Sequence, residues 1–399
     1  MKTLDLSQNY QKFFDEFHFH TDTHSRLLAI DIVNVMSSVY YADISINKVV
    51  PRRIDLEIPV YFVDKWDSSK CLIHTLLHWV SEEYYTITFI ENKLEEQTNS
   101  AILDDNDRID TVTLFSGGLD SFAGAFHNLQ SGIHSDYIGF VNKSEEKTKQ
   151  KQIRDFYHTV FPDSSVHLIN RHDIKKAVYT QSTRSLLYMS LAIAKSLTHE
   201  KYKRVYIYEN GVLSLNPELK GRYTTKTTHP YTIYLFNELL NRLGIDVKIE
   251  NPFIFKTKAQ ILQGLSQDFK NQIVNTFTCG QSRINPDRNH KGQCGVCIPC
   301  LLRKISLAAN EMELFDVTYQ YPYEIKLKDI AEADYRKDYV SNLEYFSEYV
   351  ELIRNQSIFS HLQIRKEYYN DEFALQKTKQ MLETFADEFE RFMMRYAPY

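Results

Sequence analysis

The 399-residue sequence predicts an α/β protein built on a doubly wound parallel sheet. Three observations predict it. Short β-rich runs alternate with longer helical patterns between residues 111 and 265. A glycine turn, SGGLDS at 116–121, joins the first strand of that series to its first helix, and four cysteines crowd into residues 279–300 as a zinc knuckle.

Residues 1–108 read as an α+β N-terminal extension, with a helical start, strand-like runs at 27–35 and 53–63, and a helix near 72–81. The polar stretch 92–110, with Asp104, Asp105, Asp107 and Asp110, reads as a linker and sets a boundary near 108. Residues 109–310 form the main unit, with strands expected at 111–115, 137–141, 166–169, 205–208 and 246–249. Helices are expected between and after them at 121–129, 147–160, 183–197, 231–243 and 258–265. This order implies right-handed crossovers and a ligand at the carboxyl ends of the strands. Residues 311–399 read as a Tyr-rich connection followed by two helices, at 338–354 and 371–395, a mainly helical C-terminal extension.

The composition, 43% hydrophobic and 25% charged, is that of a soluble globular chain large enough for a full core. A net charge of −5 argues against a generally basic nucleic-acid binder. The N-terminal residues lack the apolar stretch of a secretory signal, and no uninterrupted apolar run reaches the ~18 residues of a membrane span. The expected setting is therefore the cytoplasm, without a membrane partner. Four clustered cysteines, with Cys71 alone, suit a metal site in a reducing compartment better than a disulfide framework.

In TVTLFSGGLDSFAGAF a strand, a tight turn and a helix follow directly on one another. Gly117 and Gly118 permit positive φ and leave room for an anion against the backbone amides. The helix N-terminus from Leu119 adds free N–H groups and partial positive charge, and Ser116 and Ser121 add hydroxyls. Asp120 is placed to hold Mg²⁺ or to cap the helix. The loop lacks both a Walker ending and the GxGxxG pattern, so it reads as a pyrophosphate cradle.

Cys279, then fourteen residues, then Cys294-x₂-Cys297-x₂-Cys300 supplies four thiolates for a closed, structural Zn²⁺ site. The intervening loop has little apolar content to fold around without metal. His290 is an alternative ligand, and an Fe–S cluster is the alternative occupant.

The loop matches the SGGxDS motif of the PP-loop ATP pyrophosphatases, whose fold is adenine nucleotide alpha hydrolase-like. Loop and cysteine pattern together, in that order, resemble the QueC family of 7-cyano-7-deazaguanine synthases. QSTRSLLYMSLAIA at 181–194, FKTKAQ at 255–260 and Thr278-Cys279 extend the likeness, which covers about residues 109–310. The resemblance implies that ATP's phosphates are held by Ser116, Gly117, Gly118, Leu119, Asp120 and Ser121. It gives Asp120, Ser121 and Arg184 catalytic positions, Mg²⁺ as companion of ATP, and zinc on Cys279, Cys294, Cys297 and Cys300. It implies adenylation of 7-carboxy-7-deazaguanine with loss of pyrophosphate, then C–N bond formation to an amide or nitrile by an ATP-dependent ligase.

Two passages depart from the family, residues 141–144 (VNKS) and the segment 209–230 (ENGVLSLNPELKGRYTTKTTHP). Both ends and this segment look more like the QatC-type and type IV CBASS proteins of bacterial antiviral operons. That branch implies an amine of a partner protein, encoded nearby, as acceptor, docked by the added ends. No glutaminase domain is recognisable, so nitrogen is expected from ammonia or that partner. RNA-base thiolation and a nucleotide-sensing scaffold are the competing readings, and the sequence leaves self-association open.

Glu209, Asn210, His229, Lys256 and Lys258 are candidate substrate residues from their places at strand ends and after prolines. The bland alternatives are helix capping for His229 and solvated side chains for the lysines. His18, His20 and His24 suggest a metal site, but no acidic ligand accompanies them, and ordinary surface histidines are expected.

Overall fold

The structure, a computed structural model, describes residues 2–3, 14, 21–46, 52–93, 108–141, 144–170, 182–222, 224–280 and 292–398. The acidic cluster Asp104, Asp105 and Asp107, His18, His20, residues 142–143 and His290 lie outside the described residues.

The N-terminal part pairs β1 (Lys2–Thr3), β2 (Arg53–Val60) and β3 (Tyr84–Glu91) in a parallel sheet. Around it stand α1 (Thr23–Ser45), α2 (Val63–Ser68) and α3 (Lys70–Ser81). The strand expected at 27–35 is instead part of α1, which starts at the N-cap Asp22, whose side chain accepts from Ser25 N. The reason is burial on every side: residues 28–44 are all buried, so α1 has no polar stripe, and its β-branched run imitates a strand. β3 falls outside the expected elements, although its alternating burial matches its alternating sequence.

α1 is long and apolar enough to cross a membrane by length and composition, but 94% of that window is buried inside the fold. Its polar residues are occupied within the core. Asp31 accepts from Tyr61 N at 2.8 Å, Phe62 N at 3.1 Å and Trp66 Nε1 at 3.1 Å, which organises the start of α2.

The central sheet has the order β6-β5-β4-β7-β8, and every pairing is parallel. Its strands are β4 (Thr111–Leu114), β5 (Ser135–Val141), β6 (Val166–Asn170), β7 (Arg204–Tyr206) and β8 (Lys248–Glu250). The connecting helices are α4 (Leu119–Ser131), α5 (Ser144–Val160), α6 (Arg184–Ser196), the short α7 (Gly211–Leu215) and α8 (Pro230–Leu243). All five expected strands and helices overlap these, with α9 (Lys258–Leu262) shorter than expected and α10 (Gln267–Gln272) following it.

One apolar core joins α6, α8 and all five central strands to α1, β2, α3 and β3, so the N-terminal part closes one face of the central sheet. α4, α5, α9 and α10 cover the other face. A third core joins the cysteine cluster and α11 (Ile298–Ala308) to α12 (Ala333–Arg354) and α13 (Ala374–Tyr396). Fully buried Tyr349 and Phe385 meet there with ring centroids 5.8 Å apart, and each such ring contributes about 1.5–3 kcal/mol on burial.

β4 lies between β5 and β7, so the chain leaves it toward one edge and later returns to build the other. The crevice at the carboxyl ends of β4 and β7 is where open parallel sheets bind ligands. The glycine loop and residues 207–210 both end there.

Candidate active site

β4 is buried at every residue, and Phe115 N continues its ladder to Ile138 O at 2.7 Å. The chain then turns through Ser116-Gly117-Gly118 into α4. Gly117 has φ +77°, and a Cβ there would lie 2.6 Å from Gln150 Cγ, so both backbone and neighbour require glycine. Gly118 has φ −81° and is the N-cap, contrary to the expectation that both glycines use positive φ. Its missing Cβ instead keeps clear the space beside Ser116 Oγ.

No side chain caps α4 at Gly118, so its first-turn amides are available to an anion. The hydroxyls of Ser116 and Ser121 lie 3.0 Å apart, Ser121 Oγ donates to Gly118 O at 3.1 Å, and Gly118 N donates to Ser116 Oγ at 3.2 Å. Gln150 Nε2 donates to Ser116 O at 3.0 Å, and Phe277 N donates to Gly117 O at 2.8 Å. Leu119 is buried in the core and contributes through its backbone.

Three sequence candidates converge on Asp120. Lys258 Nζ is 2.7 Å from Asp120 Oδ1, with both side chains nearly inaccessible (2% and 6% exposed). Asn210 Nδ2 lies 2.8 Å from Asp120 Oδ2 and 2.9 Å from Glu209 Oε1. Burial opposes ionisation of Asp120, but the Lys258 ammonium and hydrogen bonds from Glu209, Lys258 and Asn210 hold its carboxyl below the usual range. Burial, then the charge and hydrogen bond of Asp120, drives Glu209 well above that range.

The short helices set this geometry. Asn210 caps α7 through Leu213 N, and Asn251 Nδ2 donates to Glu209 O at 2.8 Å. Thr257 and Gln260 form a capping box at the start of α9, which points Lys258 into the crevice. Thr257 Oγ1 also donates to Glu388 Oε1 on α13 at 2.6 Å, so the C-terminal helix buttresses this wall.

The four cysteines meet as the spacing requires. Their sulfurs all lie within 4.8 Å of one another, and the Cys279–Cys297 and Cys294–Cys300 pairs are 4.0 and 3.9 Å apart. A tetrahedral ion with Zn–S near 2.3 Å requires sulfurs about 3.8 Å apart, so the donor set fits zinc. Backbone N–H groups of Gly280, Cys294, Val296 and Cys297 point at the sulfurs at 3.3–3.4 Å, as thiolates favour. Among the described residues this is the one cluster suited to a metal, and His24 packs against Phe62.

The metal centre and phosphate loop share one strut. Gln293, next to Cys294, donates to Thr276 O at 2.9 Å and accepts from Thr278 N at 3.0 Å. Fully buried Arg303 pairs with Asp316 at 2.7 Å, with Thr276 Oγ1 at 2.5 Å and with Ile273 O at 3.0 Å. Between these anchors Phe277 holds Gly117. Gln150, Asn251, Phe277, Gln293 and Arg303 were not legible as site residues, because isolated amides and a core arginine carry no motif.

Arg184 opens α6 at the same end of the sheet, and Thr183 before it donates to Asp43 of α1 at 2.9 Å. His229 caps α8 by accepting from Tyr231 N at 3.1 Å, while its other nitrogen lies 2.9 Å from Leu362 O. Both nitrogens are thus taken up by the fold, which matches the capping alternative. Lys256 is exposed, its ammonium lies over the Phe253 ring, and its carbonyl accepts from Gly211 N at 2.9 Å.

A family model described as Queuosine biosynthesis protein QueC matches residues 228–311, the stretch that carries Lys258 and the four cysteines. No curated protein matches the chain. The match supports the QueC family for this part of the molecule.

Proposed function

We propose that the protein is an ATP-dependent, C–N bond-forming ligase of the PP-loop type with a doubly wound nucleotide-binding sheet, acting on a 7-deazaguanine carboxylate. The observation that carries this reading is the phosphate loop facing the Asp120–Lys258 pair at the strand ends, tied through Phe277 to a four-cysteine centre. The QueC match over residues 228–311, which carry Lys258, Phe277 and the four cysteines, supports it.

The loop amides, Ser116 and Ser121 would hold the phosphates, and Mg²⁺ would accompany the nucleotide. The substrate carboxylate oxygen attacks the α-phosphorus, the bond to the bridging oxygen breaks, and pyrophosphate leaves with the electron pair. An amine nitrogen then attacks the acyl carbon, loses its proton and expels AMP. The protein's contribution is positioning and charge neutralisation. Zinc on the four cysteines would fix the strut and take no part in the chemistry. A reduced, cytoplasmic setting goes with this donor set.

One observation favours a protein-linked acceptor in a defence role. The departing segment 209–230 is held by the C-terminal extension: Tyr345 OH donates to Pro217 O at 3.1 Å, and Arg222 pairs with Asn342. In this reading the extension supports the segment that an acceptor would approach. Thiolation is disfavoured, since all four clustered cysteines face one another and Cys71 is exposed and alone.

Incubation with ATP, Mg²⁺ and 7-carboxy-7-deazaguanine should yield AMP and pyrophosphate, and ADP in their place would refute the reading. Intact-mass analysis of an adjacent-operon protein in the same mixture separates conjugate from amide or nitrile. ATP binding without any turnover would favour the sensing scaffold.

A further inference from the structure

Glu209 stands where β7's loop reaches the crevice, its backbone fixed on both sides by Asn251, whose Oδ1 accepts from Glu209 N at 3.3 Å. Its carboxyl and that of Asp120 converge on the single amide of Asn210, at 2.9 and 2.8 Å. Two carboxylates only accept, so carboxyls brought this close can bond to one another only by sharing a proton. The titratable groups facing Glu209 are Asp120 on α4 and Lys258 on α9, and α7 and Asn251 present only neutral groups. One ammonium therefore serves two carboxyls, and it sits on Asp120. Two like charges at this separation are not both sustained in a buried setting.

We propose that Glu209 is a positioning residue that works as a neutral carboxylic acid, donating its proton to Asp120 and sparing the phosphate site a second negative charge. With Glu209 neutral, the Asp120–Lys258 pair sums to zero beside the loop that receives a polyanion. Ionised Glu209 breaks that balance: it loses the hydrogen bond to Asp120, repels it, and turns the partly exposed rim against the phosphates. The inference rests on the reading of residues 116–121 as the ATP phosphate loop. Burial and the charge of Asp120 both push the Glu209 carboxyl well above the ordinary carboxylate range.

The test is Mg–ATP binding by calorimetry from about pH 7.5 to about 10, above the last phosphate ionisation, for wild type and Glu209→Gln. The amide reproduces the shape and the donor of the protonated acid without its titration. Equal affinity is expected at the lower pH, and by the upper pH a loss of about tenfold or more in wild type alone. Superimposable curves, flat or falling, overturn the proposal, and a fall shared by both assigns the titration to Lys258. A folded, zinc-loaded Glu209→Gln protein that binds poorly at the lower pH overturns it too. Infrared difference spectra supply a readout free of ATP: a protonated carboxylic acid band present in wild type and missing in Glu209→Gln. If wild type binds no ATP at any pH, the nucleotide reading fails, while the infrared band still decides the protonation of Glu209.

Discussion

Replacing Lys258 by Met removes the cation paired with Asp120 and leaves its carboxylate against Glu209 inside the protein. The pair is 2.7 Å long, with the two side chains 2% and 6% exposed, so water cannot take over the lost contact. Breaking a buried pair from one side costs about 3–5 kcal/mol. Asp120 limits that cost by taking up a proton, at about 1.4 kcal/mol for each unit between its new pKa and the solution pH. The destabilisation should therefore be largest at neutral pH and fade as the solution is acidified toward the carboxylate range. Urea unfolding of wild type, Lys258→Met, Asp120→Asn and the double variant measures the coupling. The double variant should recover more than half of the stability that Lys258→Met loses, because no charge is left unpaired, yet should stay inactive. A single variant within about 1 kcal/mol of wild type, or a double variant no better than the single, would refute the ion-pair argument.

Cys297→Ser should lose zinc and, with it, ATP affinity, because the strut through Gln293 and Phe277 loses its anchor; metal analysis and nucleotide titration check both. A soluble, metal-free variant with wild-type ATP affinity would separate the two sites. His229, buried and capping α8, is pushed down to about 4, chiefly by burial. Its neutral form is the folded form, so its contribution is complete above about pH 6.5 and is lost as pH falls through that value toward 4. The loss is about 1 kcal/mol at pH 5.5. Asp31 and Glu388, raised to about 7 mainly by burial, act with the opposite sign over the same window, losing stabilisation as pH rises. The readout is thus the difference between wild type and His229→Asn, which should narrow from pH 7 to pH 5; parallel curves would show that His229 does not stay neutral.

What was legible divides by the range of the interactions involved. The central sheet could be read because each strand is a short buried run and each helix has a one-sided apolar pattern, both local properties. α1 could not, since a helix buried all round lacks the stripe that periodicity detects. The cysteines announced themselves by spacing alone. Glu209, Asn210 and Lys258 were placed at strand ends, but their convergence on Asp120 depends on β4 lying between β5 and β7, a long-range fact. Gln150, Gln293 and Arg303 act through contacts across 13 to 34 residues of chain, where no spacing rule applies.

The three cores explain how remote segments bear on one crevice. α1 sends Asp43 to Thr183 beside Arg184, α13 sends Glu388 to Thr257 beside Lys258, and the cysteine cluster sends Gln293 to Thr276, beside the Phe277 that holds Gly117. Each contact reaches a residue that directly precedes one at the site, Arg184, Lys258 or Phe277. Such a scaffold leaves the rim open to ligand while fixing the residues behind it, which is how a site that works by positioning gains rigidity. It also makes Gly117 the most sensitive link: its φ of +77° is held by Phe277 on one side and Gln150 on the other. A side chain there would displace Gln150, strain the turn and spoil the anion site at once, whereas Gly118, with an ordinary φ, should tolerate alanine with folding intact.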